Sequence, residues 1–156
     1  MNSNLIFRNT ILGMGLFLFA GLAFGKQCDF ECKFKNVETY FVYIDEVFRK
    51  GSTEQDIEVF LSHMHDDVKY EHKEYGADFN KEQWRKAFMK QLNEGAYTDT
   101  KYHEARVLNT IEGKTHMAVE YSYGKNDADG NWIKGDIYFA LFGFKEGKII
   151  LIREYW

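Results

Sequence analysis

The apolar residues of this chain change their period once, and that change constrains the fold more than any other feature. From Asn36 to Lys50, Val37, Tyr40, Phe41, Ile44, Val47 and Phe48 recur at helical spacing, and Gly51 follows as a stop. Ser52 or Thr53 can cap a second helix whose Ile57, Phe60, Leu61 and Met64 share a face, with Asp66-Asp67 leading into a short strand, Val68 to His72. After a polar loop, Asn80 and Gln83 make a capping box for a third helix that buries Trp84, Ala87, Phe88 and Leu92 and ends at Gly95. Beyond it the period falls to 2. Glu112-Gly113, Asp129-Gly130 and Glu146-Gly147 then mark hairpin turns between four long antiparallel strands, about 101 to 111, 115 to 125, 132 to 144 and 148 to 156. Helices first and strands afterwards predict an α+β fold, with three N-terminal helices packed on one face of a curved antiparallel sheet.

The first residues predict export. Arg8 precedes an uncharged apolar run from Ile11 to Phe24, shorter than a bilayer-spanning helix and closed by the small residues Ala23 and Gly25. Residues 1 to 25 therefore read as a signal peptide cleaved after Gly25, giving a periplasmic or secreted protein that touches the membrane only if the peptide stays uncleaved. About 130 residues follow, enough for one core. They divide into a segment 26–35, carrying the cysteines, and a domain 36–156. Cys28 and Cys32 are the only cysteines, and an oxidising compartment favours a local disulfide between them. A cysteine-based zinc site is thereby excluded. The net charge is −4 with lysines scattered among glutamates, which leaves no basic stripe for nucleic acid.

The run Asp66-Asp67-Val68-Lys69-Tyr70 after the second helix and the ending Phe144 to Trp156, which closes on Arg153-Glu154-Tyr155-Trp156, carry a resemblance. In this layout residues 36 to 156 resemble the nuclear transport factor 2-like superfamily, particularly its SnoaL-like bacterial members. The resemblance implies a conical sheet wrapped on a long helix, with a pocket between them. It does not imply one activity, because such folds host isomerases, cyclases, dehydratases, epoxide hydrolases and noncatalytic adaptors. In the limonene epoxide hydrolase type, a strand Tyr, an Asn two residues later and a last-strand Asp hold the attacking water; the matching positions are Tyr70, His72 and Glu154. The place of that type's Arg-x-Asp pair holds Val119 and Tyr121. In the ketosteroid isomerase type the base matches His72, and the two oxyanion donors fall near Ile44, one residue from Tyr43, and Ala140.

The residues themselves leave two readings open at each of these positions. His72 is suited to general-base work near neutrality, or is a histidine bonded to a loop. Tyr70 shares its strand face by alternation. Glu154, flanked on its face by Ile152 and Trp156, is either a catalytic carboxylate or a group that pins the last strand. Tyr121, Tyr123, Tyr138, Phe142 and Trp156, on one inner face with Tyr70, line an aromatic pocket or pack a core. His63-Met64-His65-Asp66, read as helical, places its imidazoles on opposing sides, and Lys125 opens the loop Asn126 to Asn131 where a calcium loop needs an acid. No metal and no organic cofactor is expected. The expected partner is a small apolar molecule, bound with or without acid-base chemistry. A second copy of the chain is expected on the outer sheet face, where His116, Ala118, Glu120 and Ser122 point.

Overall fold

A computed structural model describes residues 28–98 and 104–156. The expected signal peptide, residues 26 and 27 and the start of the first long strand lie outside the described residues. Three helices, α1 (Phe30–Phe48), α2 (Glu54–Ser62) and α3 (Lys81–Asn93), accompany six strands: β1 (Met64–His72), β2 (Ala77–Asn80), β3 (Glu104–Glu112), β4 (His116–Asn126), β5 (Trp132–Lys145) and β6 (Lys148–Tyr155). Among the described residues no helix is long and apolar enough to cross a membrane.

Helix α1 starts six residues earlier than its apolar spacing indicates. The Asp29 carboxylate accepts the Cys32 backbone N–H at 3.0 Å and caps the helix, so Cys32 lies in its first turn and Cys28 just before the cap. Cys28 and Cys32 are joined, with Cα atoms 5.3 Å apart. Lys33, facing inward from this turn, donates to Glu112 Oε1 at 2.7 Å and to the Gly113 carbonyl at 2.8 Å, tying α1 to the β3–β4 turn. Helices α2 and α3 both begin with complete capping boxes, Thr53 with Asp56 and Asn80 with Gln83.

The strand order is β2-β1-β6-β5-β4-β3. Every neighbouring pair is antiparallel except β1 and β6, which run parallel, so the sheet is mixed rather than wholly antiparallel. A parallel pair needs a long crossover, and β2, α3 and three further strands supply it. Strand β2 was hidden by its length, four residues whose only strong strand former is Phe79. Met64 and His65 belong to β1 rather than to a helix, and β1 carries an irregularity before Lys69. Breaks in register at Val107/Asn109, Ser122/Gly124 and Gly143/Phe144 bend the unclosed sheet around α1. The β5–β6 turn has left-handed backbone at both central residues, Glu146 (φ 54°) and Gly147 (φ 77°), as a twisted two-residue hairpin requires.

Val37, Tyr40, Phe41, Ile44 and Val47 of α1 are buried in the concavity. Tyr40 meets Phe142 edge-on at 5.2 Å between ring centres and lies 5.6 Å from Phe60, while Phe41 packs 4.7 Å from Tyr121. Ser122, expected on the outer face, is fully buried: the register breaks immediately after it, and its hydroxyl donates to the Tyr123 carbonyl at 3.3 Å.

Candidate functional site

Neighbouring strands β1 and β6 put His72 level with Glu154 and Tyr70 level with Ile152. Glu154 is only 5% exposed. Tyr70 donates its phenol to Glu154 Oε2 at 2.6 Å, and Tyr121 donates to Oε1 at 3.2 Å. The Trp156 indole N–H donates in turn to the Tyr121 hydroxyl at 2.9 Å. One carboxyl therefore holds β1, β4 and β6 together, and the last residue of the chain supports it from outside. Tyr70 is set in place by ring stacking on Trp84 of α3 at 4.6 Å, so α3 orients a donor of the site without entering it.

Burial pushes the Glu154 carboxyl above the usual carboxylate range; the phenol hydrogen bonds and the nearby His72 pull the other way without cancelling it. Burial and then the Glu154 charge hold the phenols of Tyr70, Tyr121 and Tyr123 far above the ordinary tyrosine value. They remain donors at any physiological pH. The exchangeable proton of this carboxyl and its phenols belongs to Glu154.

His72 is 1% exposed, and neither ring nitrogen has a hydrogen-bond partner among the described residues. Its ring stands edge-on to Trp156 at 4.6 Å and lies 4.4 Å from Tyr75. It is hydrogen-bonded neither to a loop nor to Glu154 or Tyr70. A buried polar atom without a partner costs about 1–3 kcal/mol, which makes this imidazole an exception within the fold.

The five aromatic residues divide. Tyr138 packs against Trp156 at 5.0 Å and against Tyr121 at 5.7 Å, and Tyr123 lies 5.8 Å from Tyr121, so these four form a continuous wall beside Glu154. Phe142 is fully buried against Tyr40 and Phe41 and belongs to the floor under α1. Val119 is core, while Tyr121 occupies the other half of the Arg-x-Asp place and supplies a phenol there. Ile44 and Ala140 are likewise buried apolar positions that offer no side-chain donor.

Two polar residues of α1 complete the surroundings. Tyr40, one helical turn before Ile44, brings its phenol to the Glu154 carboxyl from the helix side, and burial raises it well above its ordinary value. Asp45 borders a cavity of about 340 Å³ between α1 and β3, shared with Phe34, Phe41, Glu104 and Val107. Burial pushes its carboxyl up to about 7, against the opposing pull of the Ala105 backbone N–H and with help from Glu46 and Glu104. The helical period of α1 hid both residues, since Tyr40 reads as part of the apolar stripe and Asp45 as part of the solvated face. A larger open groove of about 680 Å³ is lined by Leu61, Lys69, Lys81 and Arg85 and by none of Tyr70, His72 or Glu154. Lys81 there is paired with Asp66 at 2.9 Å, and Arg85 with Glu58.

His63 and His65 lie on different elements. His63 caps α2 and stacks on Tyr43 at 4.4 Å; His65 on β1 accepts the Asp67 backbone N–H at 3.0 Å. Among the described residues no three His, Cys, Asp or Glu side chains are grouped to hold a metal ion. The Asp127 carboxylate accepts N–H groups of its own turn, from Asp129 at 2.9 Å and Asn131 at 2.8 Å, as a hairpin loop does.

No family model matches the chain, and no curated protein matches it. Solved structures do. A candidate isomerase from Bacillus subtilis is similar at a TM-score of 0.55 and 12% identity, over 81% of this chain and 87% of that one. A cystatin-like-fold protein of unknown function from Methylobium petroleophilum PM1 gives 0.52 and 13% identity, over 83% and 78%. A candidate ketosteroid isomerase from Kribbella flavida DSM 17836 gives 0.50 and 13%, over 81% and 78%. Likeness at this identity establishes the fold.

Proposed function

On the cone fold that this chain shares with nuclear transport factor 2-like, ketosteroid isomerase-like and cystatin-like proteins, we propose that it is an exported pocket protein that binds a small apolar molecule and moves a proton on it in a reaction of isomerase, dehydratase or hydrolase type. The observation that carries this reading is the buried Glu154 carboxyl, gripped by two phenols, beside an imidazole whose nitrogens have no hydrogen-bond partner among the described residues. His72 accepts the proton from a substrate carbon or a water. Glu154 lies close enough to stabilise the resulting imidazolium, and Tyr70 and Tyr121 fix the carboxylate while it does so. The wall of Tyr121, Tyr123, Tyr138 and Trp156 supplies an apolar, water-poor setting in which those charges count for more. The reading needs neither metal nor organic cofactor. The apolar run before Gly25 supports export.

In a turnover screen over small ketones, epoxides and hydroxylated polycyclic compounds, His72→Ala and Glu154→Gln each lower the rate by about 10²–10⁴, the usual reach of a general acid or base. Unchanged binding and turnover in both variants would rule the assignment out.

A noncatalytic assembly reading is favoured by a different observation. On the convex face Ile137, Phe139 and Tyr155 are exposed, with Phe139 and Tyr155 directly paired across β5 and β6. Apolar residues on a sheet face flanked by the Arg153–Glu71 ion pair suit a self-complementary interface between two copies. Sedimentation of the mature chain then gives a dimer, which Phe139→Glu converts to a monomer; a wild-type chain that stays monomeric at high concentration removes this reading.

A further inference from the structure

Tyr75 is 71% exposed, yet its ring lies 4.4 Å from the ring of His72 and 5.7 Å from that of Trp156. A tyrosine that is mostly in water while the histidine beneath it is sealed acts as a cover. The main chain around it is held firmly. His72 pairs with Ala77 across the β1–β2 hairpin, Gly76 N–H donates to the Lys73 carbonyl at 3.3 Å, and Gly76 takes the positive φ of 64° that the turn requires. The Tyr75 side chain is therefore free to rotate while the turn stays closed, and exposed side chains change rotamer within nanoseconds.

Under that ring lies an imidazole whose two nitrogens are both without a hydrogen-bond partner among the described residues. Tyr75 and Trp156 present ring carbons to it, and neither of their polar groups reaches it: the Trp156 N–H is spent on Tyr121. We propose that Tyr75 is the movable cover of the ligand site, and that the ligand is a neutral, largely apolar molecule whose hydroxyl or carbonyl oxygen takes the place of the displaced ring against His72. This rests on the pocket reading above and adds to it a route of access and a ligand class. A cationic or anionic ligand does not fit. The imidazole is flanked by the aromatic rings of Tyr75 and Trp156, and the nearby Glu154 carboxyl already has a phenol donor on each oxygen. Once Tyr75 swings out, an oxygen on the ligand meets the imidazole while its apolar body meets Trp156 and the outward-turned phenol ring.

The test reads the cover without knowing the ligand. Diethyl pyrocarbonate acylates accessible imidazole nitrogens, and peptide mapping by mass spectrometry resolves His72 from the other histidines. In wild type His72 reacts slowly compared with exposed His116. Tyr75→Ala raises the His72 rate about tenfold or more while leaving His116 unchanged, and Tyr75→Phe behaves as wild type because the ring rather than the hydroxyl does the covering. Tyr75 lies on an exposed turn, and matching thermal unfolding curves verify that the variants fold. Equal His72 rates in wild type and Tyr75→Ala overturn the proposal, as does a wild-type His72 that reacts as fast as His116. A cover demonstrated in this way, together with unchanged turnover in His72→Ala and Glu154→Gln, would remove the proton-transfer reading and keep the cover.

Discussion

Glu154→Gln unfolds at a higher temperature than wild type at about pH 8 and at nearly the same temperature at about pH 4. The sign follows from the direction of the shift. The Glu154 carboxyl titrates higher in the folded chain than in the unfolded one, because burial opposes its charge. Between the two values the folded state binds the additional proton. The associated stability is fully present below the unfolded value, about 4.3, and is lost as pH rises through the folded value. Glutamine carries no charge at any pH, so the variant escapes the loss. It still accepts from one phenol through its carbonyl. Asp45 acts in the same sense: its carboxyl is pushed up to about 7, so its share of stability disappears as the solution passes from about pH 4 through about pH 7. A full shift of this size corresponds to about 4 kcal/mol, and solvent screening at a half-buried groove reduces the expectation to about 1–2 kcal/mol. Asp45→Asn, which keeps an acceptor for the Ala105 N–H, recovers that amount at about pH 8, and the double variant flattens the profile further. Thermal unfolding followed by circular dichroism across this range measures all three. A wild-type curve that rises with pH over the same interval, with both variants parallel to it, would show that these acids are solvated as ordinary surface carboxylates are.

The same residues show what a sequence can and cannot carry about such a site. Tyr70 and His72 could be placed on one face because a strand has a period of 2, and Glu154 could be placed opposite because the last strand ends in a strict alternation, Ile152, Glu154, Trp156. Their meeting was implied only by the resemblance, not by any local pattern. It depends on β1 lying parallel to β6, a contact across 84 residues between Tyr70 and Glu154 that no local pattern encodes. The expectation of a wholly antiparallel sheet was a consequence of reading only the local hairpins. Tyr40 and Asp45 show the complementary blindness. In a helix the period says which residues face inward, not which of the inward ones ends on a polar partner, and a residue at the margin of the stripe reads as solvated even when a strand edge closes over it. His72 was legible as a candidate, while its unengaged nitrogens were not, since they result from the arrangement of Tyr75 and Trp156 around it.

Removal of Glu112 destabilises the domain more than removal of the lysine it pairs with. Lys33 is 3% exposed, whereas Glu112, its partner at 2.7 Å, is 41% exposed. Glu112→Ala therefore leaves a buried ammonium that, among the described residues, the Gly113 carbonyl alone answers, a situation that costs about 3–5 kcal/mol. Lys33→Met keeps the apolar stem in the core, removes the charge, and leaves a carboxylate that water can solvate. The remaining loss is that of hydrogen bonds to the turn, about 1–2 kcal/mol. The double variant is then no less stable than Glu112→Ala and close to Lys33→Met, because the charge that made the loss of Glu112 expensive is gone. Urea denaturation of the three variants gives the cycle, and equal costs for the two single changes would mean that Lys33 reaches solvent. The consequence extends to the site. Lys33 ties the first turns of α1 to the β3–β4 turn, and Asn36 ties them to the β5–β6 turn by donating to the Gly147 carbonyl at 3.1 Å. Further along the same helix, Tyr40 faces Glu154 and Asp45 closes the groove on β3. A helix loosened at Glu112 no longer holds those groups in register with the sheet, so Glu112→Ala at a denaturant concentration that leaves it folded also accelerates amide exchange along α1, while Lys33→Met does so much less.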